Sequence, residues 1–81
     1  MGRTSAPPIR GEILREARIR KCMSQADVTR ECAERGLTLG EANLSRIERG
    51  LIRWPALRTI PILAAVLDVD VDDLFEDGAA A

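Results

Sequence analysis

The chain has 81 residues, 46% of them hydrophobic, with a formal net charge of −1; that length allows one small domain around one core, stabilised by efficient helix packing. It contains no His, two cysteines (Cys22 and Cys32) and two aromatic residues (Trp54 and Phe75), which excludes imidazole-based catalysis, zinc sites built on His, a disulfide framework and an aromatic-lined ligand site. None of the six glycines builds a phosphate-cradling loop, so neither an enzyme nor a cofactor or metal is expected.

Residues 1–8, with Pro7 and Pro8 adjacent and no apolar periodicity, read as a disordered arm. From Ile9, the recurrence of Ile13, Leu14, Ala17 and Cys22 predicts an amphipathic helix over about 9–21, with Arg10, Glu12, Arg15, Glu16 and Arg20 on its outer face. Ser24 followed by Asp27 forms a capping-box signature, and a second helix over 25–35 carries Ala26, Val28, Cys32 and Ala33 as its apolar positions before Gly36 stops it. The third helix begins either at Gly40 or at Thr38, where Thr38 and Glu41 would make a second capping box and Leu37 would pack back. It turns Ala42, Leu44 and Ile47 inward, presents Glu41, Asn43, Ser45, Arg46 and Arg49, and ends at Gly50.

The Trp54-Pro55 step disfavours helix, after which Leu57, Ile60, Leu63, Ala64 and Leu67 resume the helical period. This fourth helix either starts near Thr59, with Pro61 in its first turn, or kinks at Pro61. Asp70 caps a short fifth helix anchored by Leu74 and Phe75. Residues 9–76 therefore read as the domain and 77–81 as a flexible tail.

Charge is segregated along the chain. Residues 1–58 hold all 12 basic side chains and seven acidic ones, a net of +5, whereas residues 59–81 hold six acidic and no basic ones, a net of −6. Local field, and not the total, attracts phosphate, so the basic part is a candidate nucleic-acid face. Asp68, Asp70 and Asp72 have the alternate spacing of a calcium loop, but Asp73 and Ala79 stand where its glycine and bidentate glutamate are required, so no metal site is read there.

The stretch Ser24-Gln25-Ala26-Asp27-Val28, then Asn43-Leu44-Ser45-Arg46-Ile47-Glu48-Arg49-Gly50, with Leu14, Arg15 and Arg18 upstream and Leu57 to Leu67 and Val71 to Phe75 downstream, resembles the Cro/repressor-type (XRE) helix-turn-helix family over about residues 10–76. The resemblance implies an all-α, five-helix, lambda-repressor-like DNA-binding domain with the third helix in the major groove of double-stranded DNA. It places Glu41, Ala42, Asn43 and Arg46 against bases: Arg46 on a guanine, Glu41 on a cytosine amino group or else as a cap of its own helix, and Ala42 on a thymine methyl. It places Gln25, Ser45, Arg49, Arg53, Trp54 and Arg58 against phosphates, and pairs Arg18 with Glu48 as a structural ion pair. The sequence departs from the family at two points. The interval from Ser24 to Gly40 is about five residues longer than in the common motif, and Cys22 stands where relatives often end the first helix on glycine.

These readings converge on a sequence-specific transcriptional regulator, a repressor binding a two-fold operator as a homodimer, with Leu51 and Ile52 as apolar loop residues at the dimer contact. The rival is a protein-interaction adaptor, antitoxin-like, whose acidic C-terminal helix binds a toxin or the transcription machinery. No apolar run approaches the roughly 18 residues of a membrane span and no signal peptide opens the chain, so a cytoplasmic, nucleoid-associated protein without membrane partners is expected. Cys22 and Cys32 are read as buried, inert thiols.

Overall fold

The computed structural model describes residues 8–75; the expected tail, and all of the expected arm except Pro8, lie outside them. Five helices follow in chain order: α1 Gly11–Arg20, α2 Gln25–Glu34, α3 Glu41–Glu48, α4 Thr59–Leu67 and α5 Val71–Leu74. α4 is the most apolar and buries Ile60, Leu63, Ala64, Val66 and Leu67. α1 and α2 both pack on it, and α3 lies against α1 and α2. Leu14, Val28, Cys32, Leu44, Ile47 and Leu74 complete the core. Among the described residues no helix is long and apolar enough to cross a membrane.

Of the five helix starts only that of α2 carries a side-chain cap; Asp70 stands at the N-cap of α5 as expected but makes no side-chain bond there. The Ser24 hydroxyl accepts from the Asp27 amide at 3.0 Å, and the Asp27 carboxylate accepts from the Ser24 amide at 2.8 Å, so the first capping box forms as expected. Those bonds, with Arg30 on the same carboxylate, hold the Asp27 pKa below its usual value. The second capping box does not form. α3 is capped by Gly40 without a side-chain bond and begins at Glu41, which selects Gly40 over Thr38. α4 begins at Thr59, so Pro61 sits in the first turn, where its missing N–H leaves no helical bond unmade.

Four helices end in the same way. The αL residues Cys22, Gly36, Gly50 and Asp68 each donate to a carbonyl three residues back, and the next residue, Met23, Leu37, Leu51 or Val69, donates five back. This motif satisfies orphan carbonyls and turns an apolar residue towards the helix it follows. Met23, Leu37 and Val69 pack against the core; Leu51 is 64% exposed. Gly36 and Gly50 adopt the left-handed conformation freely, while at Cys22, with φ of 57°, a Cβ makes it unfavourable by roughly 1 kcal/mol.

Several inward expectations are corrected. Ala26 and Ala33 on α2 and Ala42 on α3 are exposed, because the inward stripes run through Val28 and Cys32, and through Leu44, Ile47 and Glu48. Leu57 precedes α4 and is 70% exposed. Cys22 is exposed, since the αL turn carries it off the core, whereas Cys32 is buried and its thiol is pushed up in pKa by burial. A thiol-directed alkylating reagent is therefore expected to label Cys22 alone in the folded protein and both cysteines after denaturation, as read by intact mass. Rapid double labelling without denaturant would contradict this packing.

The two ends of the described segment are joined. Ile9 forms an antiparallel bridge with Phe75 and donates to the Arg53 carbonyl at 3.0 Å, and the Arg10 amide donates to the Leu74 carbonyl at 2.6 Å. Just beyond, Gly11 lies so close to α3 that a Cβ there would overlap the Ile47 carbonyl oxygen. Gly11→Ala is expected to lower unfolding stability by roughly 1 to 3 kcal/mol, as overpacking does, measured by urea denaturation; an unchanged midpoint would show that the two helices can separate freely.

Candidate nucleic-acid interface

α3 has two faces with different tasks. Leu44, Ile47 and Glu48 are buried, while Glu41, Ala42, Asn43, Arg46 and Arg49 are exposed and Ser45 is half-buried. The spacing explains the division: positions 44, 47 and 48 lie on one side of a helix, leaving the others for solvent.

The inner face is fixed by a buried ion pair. Arg18 on α1 donates to Glu48 through Nε at 2.7 Å and through Nη2 at 3.0 Å, the two-pronged geometry in which a guanidinium bonds a carboxylate best. Nη1 donates to the Met23 carbonyl at 3.0 Å, and the Gln25 amide nitrogen donates to Glu48 Oε1 at 3.2 Å. The side chains of Arg18 and Glu48 are 14% and 2% exposed, and the hydrogen bond to Glu48 raises the Arg18 pKa further above its ordinary value. α1, the start of α2 and the end of α3 meet at one carboxylate.

The outer face is only partly tied down. Arg46 Nη1 donates to Asn43 Oδ1 at 3.0 Å across one helical turn. In the loop after α3, the Arg53 guanidinium lies 5.7 Å from the Trp54 ring centroid, a cation–π distance, and Trp54 is 61% exposed. Arg58 Nη2 donates to the Gly36 carbonyl at 2.9 Å. Arg49 is exposed at the end of α3. Among the described residues no cluster of His, Cys, Asp or Glu could hold a metal ion.

A family profile for the helix-turn-helix, of XRE type, matches residues 14–74. The chain belongs to the XRE helix-turn-helix family. Domains of this family are DNA-binding regulatory domains. No curated protein and no solved structure matches the chain significantly. The interval from Ser24 to α3 is made up of the ten-residue α2 and the connection over 35–40.

Gln25, half-buried at the start of α2, bonds Glu48 at the end of α3, in keeping with the steadying role that the family resemblance implies for it. Two features of this XRE domain escaped the sequence. Arg58 reaches the connection between α2 and α3, and Gly11 gives α1 its close approach to Ile47. Gly11 alone left a signal, a poor helix former opening an otherwise well-patterned helix.

Removing one partner of the buried pair is expected to be far worse than removing both. Arg18→Met should cost roughly 3 to 5 kcal/mol by leaving Glu48 buried and uncompensated, and Arg18→Met with Glu48→Leu should recover most of it. Denaturant midpoints of the two variants check this; equal losses would mean that water reaches the carboxylate.

Proposed function

We propose that this XRE domain is a sequence-specific transcriptional repressor that binds a two-fold operator as a homodimer, with α3 in the major groove of double-stranded DNA. The observation that carries the reading is α3 itself, clamped inward by Glu48 and presenting Arg46, which is braced by Asn43 on the solvent side. A held guanidinium can bond O6 and N7 of one guanine, worth about 1 to 3 kcal/mol of discrimination. Glu41, Ala42 and Asn43 lie on the same exposed face and read neighbouring bases. Ser45, Arg49, Arg53 and Trp54 hold the phosphate backbone and set the register, with Gln25 at the margin of that surface.

The homodimer is supported by Leu51. In three of the four helix terminations the apolar residue after the αL position packs on the core, whereas Leu51 faces solvent, and Leu57 in the same loop does so too. These two large apolar side chains form a patch suited to a second copy beside α3, and half-sites one helical turn apart, about 34 Å, would follow.

An adaptor role has one specific support: Asp68, Asp70, Asp72 and Asp73 are all exposed. The two readings separate by charge reversal. Asp72→Lys with Asp73→Lys should leave DNA binding intact if α3 is the working surface, and should abolish function if the acidic end is.

The deciding experiment incubates the chain with genomic DNA fragments at about 50 and 200 mM salt and sequences those retained at the higher salt, where phosphate contacts alone fail. The expected result is a shared inverted repeat. Arg46→Ala should relax one position in each half-site, whereas Arg49→Ala should weaken all sequences alike and lower the salt slope by about one. Retention of no fragment would remove the operator-binding reading.

A further inference from the structure

We infer that Arg58 is a positioning residue for the recognition helix, acting as a strut on the connection between α2 and α3 and not as a phosphate clamp. The inference rests on the DNA-binding reading of α3 but draws on separate observations. Arg58 is the N-cap residue of α4 and makes no side-chain cap bond there. That place favours Ser, Thr, Asp or Asn, and a cation at a helix N-terminus meets the positive end of the dipole. α4 also lacks an acidic residue in its first turn. For its own helix, Arg58 is the wrong residue.

The neighbouring helix supplies the reason. α2 has no basic residue in its last turn, and Arg35 at its C-cap pairs with Glu31 at 3.7 Å. Arg58 reaches the terminating turn from outside, donating from Nη2 to the carbonyl of Gly36 at 2.9 Å and adding its charge at the negative end of the helix. Gly36 is the αL residue that terminates α2, and Leu37 beyond it is buried with its amide donating to the Cys32 carbonyl at 2.9 Å. The connection running from there to Gly40 determines where α3 starts. Gly40 caps α3 without a side-chain bond, so the polypeptide leading into α3 is held by the contacts of Gly36 and Leu37 and by Leu39, which packs against the core. A residue that violates its local preference while satisfying a distant one marks a site selected for the tertiary arrangement.

Strut and clamp predict different results from one substitution, Arg58→Gln. Binding is measured to a random-sequence 30-base-pair duplex, since loss of a phosphate contact lowers the slope of log affinity against log salt by about one. A strut leaves that slope at the wild-type value, while Arg49→Gln lowers it. Amide hydrogen exchange of the free protein gives the second arm. Arg58→Gln is expected to speed exchange at the Gly36 and Leu37 amides by roughly three- to ten-fold, with the Val28 and Leu44 amides unchanged as internal controls of folding. A slope lowered by about one overturns the strut, as does unchanged exchange at Gly36 and Leu37. Failure of the wild-type chain to bind any duplex would remove the DNA reading itself, and the exchange arm would still decide whether Arg58 holds the connection.

Discussion

The carboxylate of Glu48 is the constraint on which the arrangement depends. α3 has eight residues, too few for a helix to persist in water on its own propensity, so its place is set by what it packs against. Leu44 and Ile47 supply apolar burial, which is non-directional and tolerates rotation or sliding. Glu48 adds direction, because Arg18 meets it through two nitrogens and Gln25 through a third donor. Taking those ions from water offsets most of what their attraction gains, so the network contributes geometry far more than net stability. The proposed reading of DNA by α3 needs that: Arg46 would address one base pair only if the helix below it did not roll.

A second economy runs through the helix ends. Helices of four to ten residues spend a large fraction of their backbone on unpaired terminal groups, and a domain of this size has little burial to set against that. One termination motif used four times satisfies carbonyls and, in three cases, returns an apolar side chain to the core. It is imposed even where glycine is absent, at Cys22 and Asp68. Asp tolerates the left-handed region through its short polar side chain; Cys22 has no such relief, and the strain is carried by the packing of Met23, whose carbonyl also receives Arg18.

Most of the fold was legible because local and global signals agree. Ser24 with Asp27, Gly36, Gly50 and the Trp54-Pro55 step mark boundaries by backbone chemistry that acts within a few residues, and the α2, α3 and α4 limits fall where those signals put them. Legibility failed where two local signals competed or where the partner was remote. Thr38 and Gly40 both qualified as starts, and the choice was made by Leu37, drawn into the core as the end of α2. Ala is small enough to fit either face of a helix, so Ala26, Ala33 and Ala42 carried almost no information about direction. Leu57 fitted the period of α4, yet the backbone before Thr59 is not helical, and periodicity has no meaning there. Of the candidate interface, the exposed face of α3 was readable from spacing, whereas the contact of Arg58 with Gly36 spans 22 positions and follows only from how α4 lies on α2.

The DNA and partner readings are compatible, since they use different parts of the chain. A net of −1 describes no surface of this molecule, since every basic side chain precedes residue 59 and the last 23 positions hold only acidic ones. α5 packs on α1 and α4, so the acidic end is carried by elements other than the recognition helix. In space the separation is less complete: Arg10 and Arg20, at the two ends of α1, line the same clefts as Asp68, Asp70, Asp72 and Asp73, so arginines beside α5 partly balance the acidic end. The proposed operator surface on α3 and the proposed partner surface on α5 nevertheless lie on different elements, and occupation of one would not by itself displace the other.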